Sequence, residues 1–291
     1  MIIIRRLSAA VAILLLAAGC ATVPELAPDA DPVGLLPHNT DLMVSFPLHA
    51  QRAGIETVLP ELFDGDMAPL LNRTARIVAA RTPAPASDTP PVLHAVIEGG
   101  FTASTLRFGL PRGQGWSRER VAGIRYYRNE NLAVMLIEKN LLYAVITENP
   151  EVYLHAALLR VAHPSPDGHP LALPAVADAG RIIWLSSDVL LDGILSERIP
   201  QQLRHMLDVS GQFDYAVSLT GSVLMQGELL SSSESVARAL NVTLRILLPQ
   251  ILETVDRPRI ERRETSLLID NIEIPPGVIR EWFSPLLEDF R

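Results

Sequence analysis

The chain has a single cysteine, Cys20, and it stands at the end of an apolar leader. A lone cysteine allows no disulfide within the chain, so the packing of apolar side chains must stabilise the fold. About half of the residues are hydrophobic (48 %), which is enough for a core of ordinary size. The length of 291 residues permits one large domain or two smaller ones.

The leader has the three parts of a secretory signal. Arg5 and Arg6 supply positive charge, residues 7–18 form an apolar run, and small residues end the segment before Cys20. The apolar run is shorter than the roughly 20 residues that a spanning helix needs. We therefore interpret residues 1–19 as a cleaved signal peptide.

The end of this leader, Leu16-Ala17-Ala18-Gly19-Cys20, resembles the lipobox of bacterial lipoproteins. The resemblance implies cleavage by signal peptidase II, acylation of Cys20 with chains such as palmitate, and attachment of the protein to a membrane. Ala17 departs from the commonest pattern, which has leucine at that position. An ordinary signal peptide with an incidental cysteine is the alternative. By the sorting rule of enterobacteria, the absence of aspartate after Cys20 favours the outer membrane, on its periplasmic or surface face.

The charge of the chain limits its partners. The formal net charge is −8, and it becomes −10 once the signal peptide and its two arginines are removed. An acidic protein does not attract nucleic acid or anionic lipid through its overall field. We therefore expect no nucleic-acid partner. Outside the leader, the sequence has no apolar run long enough for a transmembrane helix.

The order of predicted elements indicates an internal duplication. Residues 20–37 are rich in Pro, Ala and Asp and are predicted to be a flexible tether. Residues 38–162 and 181–291 share the order strand, helix, strands, helix, strand meander, helix, and residues 163–180 form a linker loop between them. The predicted fold class is α+β, with two similar halves that each pack an antiparallel sheet against helices. A groove between the halves would suit a ligand.

The boundaries of these elements follow from apolar alternation, helical periodicity and turn residues. The predicted strands are 41–46, 72–81, 92–98, 124–129, 132–138, 141–147, 181–186, 213–219, 223–230, 260–265 and 266–274. The predicted helices are 49–63, 101–110, 149–162, 188–207, 232–252 and 277–290.

A search for catalytic and metal-binding patterns gives little. The chain contains no G-x-S-x-G, H-E-x-x-H, P-loop or G-x-G-x-x-G motif. Ser186-Ser187-Asp188 is better explained as a helix cap, and His163 with His169 is a weak zinc pattern without a third ligand. The carboxylate pairs Asp64/Asp66 and Glu288/Asp289 are interpreted as solvated side chains. We predict no catalytic residue, no metal and no cofactor, and a hydrolase is the less favoured alternative.

Amphipathic helices are the clearest remaining feature. Helix 232–252 carries an apolar stripe made of Val236, Leu240, Leu244, Leu247, Leu248 and Ile251. The last helix carries a second stripe, which is our candidate contact with lipid or a partner: Val278, Ile279, Trp282, Phe283, Leu286, Leu287 and Phe290. Packing of both stripes against the sheet is the competing interpretation.

A second resemblance concerns the opening of the mature chain. LLPHNTDLMVSFPLHAQRA is similar to the opening of some spirochaete surface and outer-membrane lipoproteins, a group in which some members insert amphipathic helices into bilayers. This favours a non-enzymatic envelope lipoprotein that binds lipid or another apolar ligand, or inserts its helices. The alternative is an interaction or scaffold role with a protein partner in envelope assembly.

Overall fold

The computed structural model describes residues 32–58, 60, 68–83, 90–110, 115–163, 182–185, 209–251 and 258–278. The described strands form one twelve-stranded sheet in which every neighbouring pair is antiparallel. The strands are β1 Leu42–Phe46, β2 Thr74–Thr82, β3 Val92–Gly99, β4 Ser117–Val121, β5 Ile124–Asn129, β6 Leu132–Glu138, β7 Leu141–Ile146, β8 Ile182–Leu185, β9 Val209–Val217, β10 Val223–Ser231, β11 Arg259–Arg263 and β12 Ser266–Ile274.

Five α-helices and a 3-10 turn at Pro32–Leu35 accompany the sheet in the described ranges, so the predicted α+β class is confirmed. Among those residues, no helix is long and apolar enough to cross a membrane. The helices are α1 Leu48–Val58, α2 Ala68–Leu71, α3 Ala103–Gly109, α4 Pro150–Ala162 and α5 Glu234–Ile251.

Local sequence explains where the helices begin. The Thr102 side chain accepts a hydrogen bond from the Thr105 backbone N–H and caps α3. Pro150 occupies the first turn of α4, where its missing N–H leaves no intrahelical bond unmade. The Ser233 side chain accepts from the Val236 N–H at the start of α5, with Glu234 in the first turn.

The strand order repeats between the two halves. The first half runs β1-β2-β3-β7-β6 and the second half runs β8-β9-β10-β12-β11, each with the same sequential order. β1 and β8 pair directly, so the halves join into one continuous sheet. The first half has an additional hairpin, β5 and β4, at its outer edge. The predicted arrangement of two similar antiparallel units is therefore present, with one insertion.

The first half has a core on each face of its sheet. On one face, which we call the α4 face, α4 and the 3-10 turn cover a core that includes Met43, Val96, Tyr143 and Leu154. On the opposite face, the side chains around α3 include Phe101, Leu106, Tyr127 and Leu142. Alternation along each strand therefore buries side chains on both sides of this half.

The second half has its main core on one face only within the described ranges. Phe213, Leu229 and Ile269 pack beneath Leu240 and Leu244 of α5. Register partners running from Phe213 through Ile183 and Val44 place this core on the opposite side from Met43. It therefore lies on the face away from α4, which we call the α5 face.

The junction between the halves is tightly packed. The Tyr215 hydroxyl donates to the Ser45 carbonyl over 2.7 Å, and its ring meets Phe46 edge-on with centroids 5.8 Å apart. α1 packs against the second half at Gly54, where an added Cβ would lie 2.7 Å from the Ser218 carbonyl oxygen and 2.8 Å from Val217 Cγ1. Glycine at this position lets the helix approach the sheet closely.

Several predicted boundaries need correction. The predicted tether extended to residue 37, whereas Val33, Leu35 and Leu36 are buried in the first core. β4 was missed because Ser117–Val121 is mostly polar and forms an exposed edge strand without apolar alternation. The predicted helix 188–207 lies outside the described residues, as do the last helix beyond Val278 and most of the linker loop.

Candidate functional site

The segment that would lead to the acyl anchor enters the body beside α4. Leu35 and Leu36 are buried, and the Arg160 Nε–H of α4 donates to the Leu35 carbonyl over 2.8 Å. This contact fixes the start of the described chain against the first half. Cys20 itself lies outside the described residues, so its acylation stays a prediction.

A buried polar network lies beneath α4. His94 contacts Tyr143 Oη over 2.8 Å with Nδ1 and Thr82 Oγ1 over 3.2 Å with Nε2. Burial, with a smaller contribution from the Arg160 charge, lowers the pKa of His94 to about 4. Burial also raises the pKa of the Tyr143 phenol. His94 is therefore a neutral hydrogen-bonding group at neutral pH, and because it is enclosed by the core we assign it a structural role.

A second polar cluster ties the outer hairpin to α4. The Tyr126 hydroxyl lies 2.5 Å from Glu119 Oε2 of β4 and 2.5 Å from Glu151 Oε1 of α4. Burial and the two carboxylates raise the pKa of Tyr126, and its hydrogen bond lowers the pKa of Glu119. Sequence analysis missed this cluster because β4 was not predicted. Among the described residues, no group of three His, Cys, Asp or Glu side chains could hold a metal ion.

Of the other candidates for chemistry, only His163 lies among the described residues. His163 is the C-cap residue of α4, and its backbone N–H donates a hydrogen bond to the Leu159 carbonyl. Ser186-Ser187-Asp188, His169, Asp64/Asp66 and Glu288/Asp289 lie outside the described residues. The described part of the chain therefore provides no assembled catalytic arrangement for these side chains.

The predicted stripe of α5 belongs to the core where its side chains are described. Leu240 and Leu244 are buried in the second core, and Val236 and Leu248 pack against it. The structure does not describe the side chains of Leu247 and Ile251. On the outer side of the helix, Val242 and Ile246, one turn apart, are each 57 % exposed. α5 is thus apolar on its buried side and carries two further apolar residues outside.

The α4 face of the second half is open in the described ranges. Leu224 and Leu230 of β10 point to this face and are 46 % and 52 % exposed. Their register neighbours on β9 are Ala216 and Ser210, which are only partly buried. The described contacts of α5 all lie on the other face. No described helix covers here the position that α4 occupies in the first half.

The candidate stripe of the last helix is described only at its first residue. Residues 276–278 are helical, and Val278 packs against the second core. The remaining residues of this stripe lie outside the described residues: Ile279, Trp282, Phe283, Leu286, Leu287 and Phe290. The structure thus places the beginning of the stripe at the second half.

Comparison with known proteins identifies a related fold. No family model and no curated protein matches the chain. Two crystal forms of TP0453, a lipoprotein of the spirochaete Treponema, are similar to it, with a TM-score of 0.63 in each case. Crystal form I is 15 % identical and covers 89 % of this chain and 98 % of that chain. Crystal form III is 14 % identical and covers 89 % and 100 %. At this identity the similarity shows the fold alone.

Proposed function

We propose that the protein is a non-enzymatic envelope lipoprotein, anchored through acylated Cys20, whose second half binds lipid or another apolar ligand. The observation that carries this proposal is the exposure of Leu224 and Leu230 on the α4 face of the second half, which no described helix covers. The same face of the first half is covered by α4, with Leu154 and Ala157 fully buried. An apolar occupant of the second half would restore the burial that the repeat provides in the first.

The chemistry of this face suits an amphipathic ligand. Leu224 and Leu230 lie at the two ends of β10, and Gln226 and Glu228 lie between them on the same face. Burying one leucine side chain contributes roughly 1.5–3 kcal/mol, whereas polar side chains keep their hydration only beside a polar group. A lipid with an acyl chain and a polar headgroup provides both.

The comparisons support the class of protein in this proposal. TP0453 is a lipoprotein, and its fold covers most of this chain. The lipobox resemblance at Cys20 is an independent indication of the same class. Attachment to the outer membrane is part of the proposal. Cys20→Ala is expected to abolish acylation and to release the protein from the membrane fraction, as measured by incorporation of labelled palmitate and by fractionation. Unchanged membrane partition of Cys20→Ala would contradict the anchor.

Native mass spectrometry tests ligand binding. The chain from residue 20 onward, with Cys20→Ala, retains every described residue, and we expect it to purify with bound lipid. The variant Leu224→Ser/Leu230→Ser is expected to lose most of that lipid. The control Val152→Ser/Leu159→Ser removes two exposed apolar side chains from α4 in the first half and should keep it. Equal retention by both variants, or a lipid-free wild-type chain, would contradict the proposal.

A second candidate function is an interaction role in envelope assembly. The outward pair Val242 and Ile246 favours it, because adjacent exposed apolar residues on a helix are common at protein interfaces. Sedimentation velocity, which measures self-association, distinguishes this interaction role from lipid binding. A chain that self-associates, and that becomes monomeric in Val242→Ser/Ile246→Ser without losing lipid, would favour the interaction role.

A further inference from the structure

The hairpin of β4 and β5 differs from the rest of this acidic protein. Four arginines, Arg118, Arg120, Arg125 and Arg128, stand in it with one carboxylate, Glu119. The whole chain has a net charge of −8. The hairpin has no counterpart among the described residues of the second half, so the repeat does not account for it. Its positive charge therefore needs an explanation of its own.

Two of these arginines have no structural role. Arg120 and Arg125 are direct cross-strand partners and both are exposed. Neither side chain forms a hydrogen bond or an ion pair with the described residues. By contrast, Arg118 lies 5.7 Å from the centre of the Tyr127 ring, and the Arg128 side chain donates to a backbone carbonyl. Like charges directly opposite each other destabilise a sheet. The fold alone would not favour this pair.

An exposed apolar side chain accompanies the charges. Arg118 Nη2 donates to the Arg107 carbonyl over 3.3 Å and so joins the end of α3 to the hairpin. Beside that residue, Phe108 is 79 % exposed. We call the following set the basic hairpin surface: Arg107, Phe108, Arg120 and Arg125. Arginines next to exposed apolar side chains suit a membrane interface, where both headgroups and acyl chains are available.

The position of the anchor places this surface within reach of the membrane. The 3-10 turn packs against β3 and α4, and β3 is separated from β4 by four strand spacings, or about 19 Å. The opposite edge strand, β11, is seven spacings away, or about 34 Å. The eleven residues 21–31 span at most about 36–40 Å when fully extended. A chain anchored at Cys20 can therefore bring either edge to the bilayer, and the β4 edge needs less extension of residues 21–31.

We propose that the basic hairpin surface binds the anionic headgroups of the membrane that holds the acyl anchor, with Arg120 and Arg125 as its main contacts. This rests on the proposed function for the anchor and adds a second, electrostatic contact to it. The overall charge of −8 opposes nucleic acid and anionic lipid alike, so the attraction must be local to the four arginines of the hairpin. The exposed Phe108 favours a lipid surface over free phosphate, because only a bilayer offers acyl chains beside its headgroups. Contact would also orient the body, with the β4 edge towards the bilayer.

Vesicle cosedimentation tests this surface. The chain from residue 20 onward with Cys20→Ala is mixed with neutral phosphatidylcholine vesicles, or with vesicles in which one lipid in three is phosphatidylglycerol. One arginine at an anionic surface contributes about fivefold to binding, so Arg120→Gln/Arg125→Gln should weaken binding to the anionic vesicles roughly thirtyfold. The control Arg259→Gln/Arg263→Gln removes the same charge from exposed positions of β11, at the opposite edge, and should bind within about twofold of wild type.

Each other outcome overturns the proposal. Equal losses in the two double variants would mean that overall charge determines binding. Displacement by inorganic phosphate, but not by chloride of equal ionic strength, would mean a free-anion site. A lower melting temperature for Arg120→Gln/Arg125→Gln would mean that the arginines are structural, whereas relief of their repulsion should leave it equal or higher. Lipid that purifies with the chain reports on Leu224 and Leu230 and should be unchanged in the hairpin variant, which separates this test from that of the proposed function.

Discussion

The two halves of the sheet share a strand order but differ in what covers them. In the first half, α4 and the side chains around α3 enclose both faces, and the start of the described chain is fixed beneath α4. In the second half, α5 covers one face, and the other exposes Leu224 and Leu230 in the described ranges. A repeated topology therefore does not produce repeated burial. In the function that we propose, the first half would carry the acyl anchor and the second half would offer a surface to a ligand.

The polar groups differ in the same way. The first half buries the network of His94, Tyr143 and Arg160, and a buried network of this kind specifies one arrangement of the helix above it. In the second half, the polar side chains Gln226 and Glu228 lie on the open face. The first half therefore encloses its polar groups in the core, whereas the second half presents polar groups beside exposed leucines, as the proposed ligand binding needs.

The largest expected difference in stability is between two leucine-to-alanine substitutions, one on the α4 face of each half. Leu154→Ala removes a fully buried side chain of α4 and should lower the free energy of unfolding by about 2–5 kcal/mol. Leu224→Ala, on the open face, should change it by no more than about 0.5 kcal/mol. Urea unfolding measures both. Similar losses would show that the second face is covered as the first is.

The junction of the halves gives the next effect. Gly54→Ala places a Cβ 2.7 Å from the Ser218 carbonyl oxygen, and the resulting overpacking should cost about 1–3 kcal/mol in urea unfolding. Gly277→Ala is the matched control, since its Cβ meets nothing within 4 Å, and it should be neutral or slightly stabilising. If Gly54→Ala were as stable as the control, α1 would not hold the second half closely.

The buried network predicts a pH dependence that originates in the first half. The pKa of His94 is lowered from 6.5 to about 4 in the fold, so the unfolded chain binds more protons between these values. The contribution of His94 is complete above about pH 6.5 and is lost as the pH falls towards 4. Between pH 7.5 and 5, wild type should lose about 2 kcal/mol more stability than His94→Gln.

Urea unfolding at the two pH values measures this difference. Carboxylates titrate in both proteins, so their contribution cancels in the comparison. Parallel pH profiles for wild type and His94→Gln would mean that the imidazole is not held neutral by burial beside Tyr143 and Arg160.

Much of the fold could be predicted from sequence because its strands alternate clearly. β3, β6 and β7 were placed to within a residue or so, since apolar side chains recur at every second position or fill the strand. β4 could not be predicted in this way, because an exposed edge strand needs no apolar side chains. The buried 3-10 turn was assigned to the tether for a similar reason. A segment rich in proline and alanine predicts a loop, but its composition does not indicate whether tertiary contacts bury that loop.

The candidate site was predictable only in part. Helical periodicity identified the apolar stripe of α5. Periodicity alone does not indicate whether such a stripe packs against a sheet or contacts lipid. In the structure, the described side chains of this stripe pack against the sheet. The opening at Leu224 and Leu230 depends on which helix covers which face, and this is a property of tertiary packing. The pairing of Arg120 with Arg125 likewise requires the register of a strand that the sequence did not reveal.

Hydrogen exchange of the Cys20→Ala chain, with and without neutral phosphatidylcholine vesicles, tests the division between the halves most directly. We predict that lipid slows exchange in the second half, in β10, β12 and the segment that begins at 276–278, and leaves β3, β7 and α4 unchanged. Slower exchange confined to the first half, equal changes in both halves, or no change at any lipid concentration would contradict the assignment of ligand binding to the second half.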